Sequence, residues 1–155
     1  MMGANTILTW SNTDDAVVNA ERELPRLVAG FFADTRQSLA EPNWPRNLHR
    51  VRLASKKLRY TLELFRPIYP AALEARLDEL KKLQDWLGDA NDAAASCKLL
   101  GKATLRHHPG LREFLEQRAA AQAAAFTRYW QKTFDADGQE KWWTDFLSRK
   151  ARTPK

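Results

Sequence analysis

Chain breakers are scarce here: six glycines and seven prolines interrupt 155 residues, and no segment between them reads as a strand. A single cysteine, Cys97, excludes an intramolecular disulfide framework and fits a reducing compartment. With no partner base or ligand close by in sequence, it reads as a small buried hydrophobe on a helix. Eighteen apolar residues never run together, and the opening MMGANTILTWSNTDD has neither a basic stretch nor an apolar run of signal length. Neither a membrane span nor a secretory leader is read, and a cytoplasmic protein is expected. Acid is nearly absent from one stretch. Between Pro45 and Pro67 stand Arg46, Arg50, Arg52, Lys56, Lys57, Arg59 and Arg66, against Glu63 alone. The formal net charge is +6, so this stretch carries all of the excess, and a local excess points to a site for an anion.

What is present is helical periodicity. Apolar residues recur at three and four in a first helix over 14–39, behind Thr13 and Asp14 as capping residues, with Pro25 kinking or splitting it. A loop over 41–44 leads to a second helix over 46–65, with Pro45 suited to its first turn and Pro67 to its end. The third, 71–87, aligns Leu73, Leu77, Leu80, Leu83 and Leu87 and is expected to stop at Gly88; Asp89 or Asn91 then caps a fourth, to about residue 102. After the turn at His108, Pro109 and Gly110, a fifth runs to about residue 134. Asp137 and Gly138 separate it from a last piece over 140–148. The fold class expected is all-α, one domain, an antiparallel helical bundle, with the alanine-rich AAAQAAA of the fifth helix packed closely.

The second helix divides into two faces. At about 100° per residue, Val51, Ala54, Leu58, Leu62 and Phe65 share one arc, the core face. His49, Arg52, Lys56 and Arg59, spaced i, i+3, i+7, i+10, share another, while Arg50 and Lys57 lie outside it. A solvated face normally mixes signs, because opposite charges at i, i+4 gain about 0.2–0.5 kcal/mol and like charges lose as much. This cationic stripe contains no acid and begins near a helix N-terminus, where negative charge is favoured. From His49 to Arg59 the rise is about 15 Å, too long for one phosphate and suited to a linear polyanion. Single-strand nucleic-acid binders interleave aromatic platforms with their cations, and only Tyr60 borders this stripe.

LHRVRLASKKLRYTLELF followed by LDELKKLQDWLGDANDAAAS resembles the CHAD family, the conserved histidine α-helical domain. The first string matches the pattern H-x-x-R-x-x-x-K/R-x-L-R-Y and the second L-x-x-L-Q-x-x-L-G-x-x-N-D. FLEQR at 114–118, then Trp130, Phe134 and Trp142, match more loosely. The resemblance covers about residues 48–143, which leaves 14–40 as an extra N-terminal helix and 149–155 as a basic tail. It implies helical bundles whose basic residues line a groove that binds inorganic polyphosphate, with no catalysis and no cofactor. The implied anion-binding residues are His49, Arg52, Lys56 and Arg59. Lys81 adds a cation from the neighbouring helix, and Arg50, Lys57 and Arg118 take supporting places. Asp92 is expected to cap a helix or orient an arginine. The family's usual domain has two such halves and this chain has one, so a homodimer that rebuilds the pair is expected.

Other classes fit less well. No Asp, Glu, Ser or Cys shares the stripe with His49, so no nucleophile or relay partner is offered; the imidazole reads as a titratable phosphate donor instead. His107 and His108 are adjacent, point about 100° apart on a helix and cannot chelate a metal jointly. A nucleic-acid-binding or granule-associated scaffold is the alternative, with Trp142 and Trp143 as exposed aromatics beside the tail RKARTPK. That tail otherwise reads as a frayed terminus.

Overall fold

The computed structural model describes residues 8–153. Five α-helices follow in order: α1 (Ala16–Ala40), α2 (Leu48–Leu64), α3 (Ala72–His107), α4 (Pro109–Tyr129) and α5 (Gln139–Arg149). Short 3-10 turns, Trp44–Asn47 and Arg66–Ile68, bracket α2, and a π-helical segment, Trp130–Phe134, continues α4. No strand occurs among the described residues, so the all-α expectation holds.

Each helix contributes one apolar stripe to a common core. The stripes are Leu24, Val28 and Phe32 from α1, Val51, Leu58 and Leu62 from α2, Leu77, Leu80, Leu83 and Leu87 from α3, Phe126 from α4, and Trp143 and Leu147 from α5. Phe31, Phe32, Trp130 and Phe134 pack with ring centroids between 5.3 and 6.4 Å apart, in a range where aromatic pairs gain beyond simple burial. The π-helical segment lets both Trp130 and Phe134 turn inward. Arg36 on α1 closes the far side by pairing with Asp135 and with Glu140 at 2.6 Å. Pro25 lies inside α1, which runs on as one helix, and the residue that caps it is Asp15, whose carboxylate accepts the Val18 N–H.

The largest departure from expectation is in α3. It does not stop at Gly88, and Asp89, Asn91 and Asp92 are interior residues, so none caps a separate fourth helix. The reason is the apolar stripe, which continues past Leu87 through Ala90 and Ala93, all buried. Glycine inside a helix costs about 1 kcal/mol relative to alanine, less than exposing the rest of that stripe. The backbone turns instead at Gly101, where φ is 71° and ψ 159°, a conformation that glycine adopts without a Cβ clash.

Nothing lies within 4 Å of a Cβ placed on Gly88, and its φ is not positive. Gly88→Ala is therefore expected to stabilise the protein by about 0.5–1 kcal/mol in urea denaturation, through the helix alone.

Three further expectations are corrected. Trp143 is buried, and Trp142 is half-buried between the Arg76 guanidinium, 3.8 Å from its ring centroid, and the Phe146 ring at 4.7 Å; neither is an exposed docking aromatic. The cause is the amphipathic turn of α5, which carries Trp143 against Phe134 of the π-helical segment and Trp142 against Arg76 of α3. Cys97 is half-buried, because its part of α3 projects past the core helices. The start of the basic tail is anchored: Ala151 is buried and the Arg152 N–H donates to the Ile68 carbonyl at 2.6 Å. The first seven residues of the opening stretch and the last two of the tail lie outside the described residues.

Candidate functional site

Helix α2 buries Leu48, Val51, Ser55, Leu58 and Leu62. Ser55 replaces Ala54 at the centre of this face because its hydroxyl is satisfied locally, donating to the Arg52 carbonyl at 2.7 Å. Anchoring that face leaves the stripe on the other side of the helix directed along α3. Arg52, Lys56 and Arg59 line one wall of an open cleft of about 400 Å³, and Gln84, Asp85, Gly88, Asp89 and Asp92 of α3 line the other.

His49 sits in the adjoining cavity, about 440 Å³, with Arg46 on its own side and Asn91 and Lys98 opposite. Rising numbers on α2 thus meet falling numbers on α3, as antiparallel neighbours require, and the two cavities follow one another along the groove between this helix pair. Its His49 end carries three basic side chains; its Arg59 end carries a cationic wall facing an acidic one.

Among the described residues, no ion pair joins the two walls. Arg59 is 20% exposed, lies 3.8 Å from Glu63 on its own helix and stacks its guanidinium over the Tyr60 ring at 4.9 Å. The Arg59 Nε and the Gln84 Nε2 are buried without a hydrogen-bond partner. Buried donors left unpaired are rare and costly.

The other sequence candidates are placed elsewhere. Arg50 is committed to the α1–α2 connection, donating to the Ser38 hydroxyl at 2.9 Å and lying 3.7 Å from Glu41. Lys57 is exposed and does not line the groove. Lys81 is exposed on α3, one turn before Asp85 on the same face, and also stands outside the lining. Arg118 of α4 lines a separate cavity on the other flank of α3, with Asp89, Asp92 and Ser96.

Sequence reading missed Asp85 and Asp89 as a facing wall, and Lys98 as a neighbour of His49. A signal existed: on one continuous α3, residues Lys81, Asp85, Gly88, Asp92 and Ala95 fall within an arc of about 80°, with Lys98 about 60° beyond its edge. Ending the helix at Gly88 hid that face.

Among the described residues, no three His, Cys, Asp or Glu side chains are placed to hold a metal ion directly, and no helix is long and apolar enough to cross a membrane. The arrangement can hold an extended anion along a helix pair by charge-assisted hydrogen bonds.

No curated protein and no solved structure matches the chain. The family model described as CHAD domain matches residues 5–101. That span takes in α1, which the motifs alone left outside, and ends at the Gly101 turn, short of the looser resemblance further on. It contains the whole of α2 and the acidic face of α3, and it covers more than half of the sequence. The chain belongs to the CHAD family, whose domains are associated with polyphosphate.

Proposed function

We propose that this protein binds inorganic polyphosphate along the α2–α3 groove and catalyses no reaction on it. The observation that carries the reading is the convergence of Arg52, Lys56 and Arg59 on one open cleft, with no ion pair to the opposite wall. Phosphoryl oxygens repeat along the polymer, so successive units meet successive turns of α2, and His49, Arg46 and Lys98 extend the track at the other end. Family membership supports the ligand class. Lys81 lies where a chain leaving the Arg59 end would pass, and a second copy of the protein would supply the other half of a two-bundle arrangement.

The test is a titration of the protein with long-chain polyphosphate, a single-stranded oligonucleotide and orthophosphate at two salt concentrations. Polyphosphate is expected to bind tightest, with affinity falling steeply as salt rises. Equal or tighter binding of the oligonucleotide would favour nucleic acid, a reading to which the exposed Tyr60 ring beside Arg59 lends its one aromatic platform.

His49→Ala is expected to weaken polyphosphate binding severalfold by removing one hydrogen-bond donor from the groove, and an unchanged affinity in the variant would exclude His49 from the site. Sedimentation with and without polyphosphate reads the oligomeric state, for which a dimer is expected.

A further inference from the structure

We infer that the free end of the α3–α4 hairpin docks on an anionic lipid bilayer: Leu99, Leu100, Leu111 and Phe114 enter the interfacial layer while Lys102 and Arg106 meet headgroup phosphates. The starting point is a stretch without a core. Between Ala93 on α3 and Leu115 on α4 no residue is buried, although five large apolar side chains lie there. Leu99 is 86% exposed, Phe114 58%, Leu111 40% and Leu100 38%, and Leu105 is half-buried. Single exposed apolar residues are ordinary, but a cluster of them at one end of a folded chain marks an interaction site.

The same stretch has no acid. From Ala93 to Arg112 the charged residues are Lys98, Lys102, Arg106 and Arg112. Arg112 pairs with Glu116 on its own helix at 2.9 Å, and Lys98 lines the His49 cavity. Lys102 and Arg106 are exposed, and no ion pair reaches them among the described residues. Four residues apart on one helix, these two repel each other. Cations and apolar side chains therefore stand together on a hairpin end that the rest of the bundle leaves uncovered.

The occupant follows from that combination. Polyphosphate would pair with the cations but leave Leu99 and Phe114 in water. A second copy would cover the leucines but bring the same acid-free segment against them. An anionic bilayer places phosphates above hydrocarbon and satisfies both. The end of a two-helix hairpin also protrudes, which suits a flat layer better than the enclosure of a partner's helix. No helix among the described residues is long and apolar enough to cross a membrane, so the contact is interfacial. Apolar side chains then reach about 5–10 Å into the boundary between headgroups and acyl chains.

The experiment is cosedimentation of the protein with vesicles of phosphatidylcholine alone or mixed with phosphatidylglycerol. Wild type is expected to sediment with the mixed vesicles and to stay in solution with the neutral ones, and rising salt should release it. Lys102→Gln with Arg106→Gln should weaken vesicle binding about 25-fold, about fivefold for each cation near a charged surface. Leu99→Ala with Phe114→Ala should weaken it at least about tenfold and leave polyphosphate affinity unchanged, which separates this surface from the α2–α3 groove. All four positions are exposed, and urea midpoints at the wild-type value verify that both variants fold. Absence of wild-type binding to the mixed vesicles, or equal binding by wild type and either variant, would overturn the inference and leave the groove reading standing. Self-association of the free protein that Leu99→Ala with Phe114→Ala abolishes would assign the hairpin end to a second copy and overturn it as well.

Discussion

Replacing Arg52, Lys56 and Arg59 together by glutamate is expected to lower polyphosphate affinity on the order of 1000-fold at low salt. A charge-assisted hydrogen bond contributes about 1.5 kcal/mol net, about tenfold in affinity, and all three contacts are lost from one cleft. The reversed charges would then stand beside Asp85, Asp89 and Asp92, turning the groove uniformly acidic at this end, so the residual binding, left to Arg46, His49 and Lys98, should fall less steeply with salt than in the wild type. Arg59 is mostly buried under Tyr60 and Glu63, and its reversal carries a folding risk. Arg52→Glu with Lys56→Glu avoids that risk and should still cost about 100-fold. Fluorescence anisotropy against labelled polyphosphate measures both. An affinity within threefold of wild type, in a variant that unfolds at the wild-type urea concentration, would remove the cleft from the binding site.

The second large effect concerns stability and lies in α1. Glu23 is 1% exposed, and its carboxylate accepts from the Thr9 N–H at 3.0 Å, from the Arg22 Nε at 2.9 Å and from Arg26 at 3.1 Å. Arg22 continues to the Thr9 carbonyl and to Asp14, which ties the chain ahead of α1 back onto the helix. Burial works to raise the Glu23 carboxyl, but the hydrogen bonds from Arg22 and Thr9 and the positive field of Arg26 outweigh it and hold it below its ordinary range. Glu23→Gln is expected to cost about 2–3 kcal/mol at neutral pH, discounted for the partial exposure of both arginines.

The pH dependence follows from the direction of that shift. A carboxyl whose folded-state value is depressed adds stability that is present above its unfolded value, about 4.3, and is lost as pH falls through the folded one. Urea midpoints measured from pH 7 downward should therefore fall in the wild type below about pH 5 and run flatter there in Glu23→Gln. Parallel curves would mean that Glu23 is not held ionised by this network.

Legibility differed from element to element. Helix α2 and its two faces were readable because a helical period of 3.6 and a run of like charges coincide in one segment. Leu58 and Leu62 turned inward and Arg52, Lys56 and Arg59 turned out as that period requires. Pro45 and Pro67 marked the neighbourhood of its ends, although the 3-10 turns around it trimmed the boundary by about two residues. Helix α3 was misread at Gly88 because a local break signal was weighed without the packing that overrides it. That packing depends on α4, whose Leu115 and Ala123 are buried, and no residue near Gly88 in sequence reports it.

The indoles of α5 show the same limit. Trp142 and Trp143 stand next to each other in a polar segment, yet one is enclosed by the core and the other sandwiched by Arg76 and Phe146. Arg76 is 66 residues away in the chain, too far for any spacing rule to connect them.

Composition and periodicity alone settle that this chain is helical, and that its excess positive charge gathers in one helix-sized segment with Arg52, Lys56 and Arg59 on one face of it, because both properties are local and repeat within a few residues. Only the assembled bundle decides what that face looks at. Core packing on the backs of α2 and α3 sets the gap between them, and it places Asp85, Asp89 and Asp92 across from Arg52, Lys56 and Arg59. A run of cations thereby becomes one wall of a groove whose other wall is acidic, since opposition across a cleft depends on residues distant in sequence and on the register in which two helices pack.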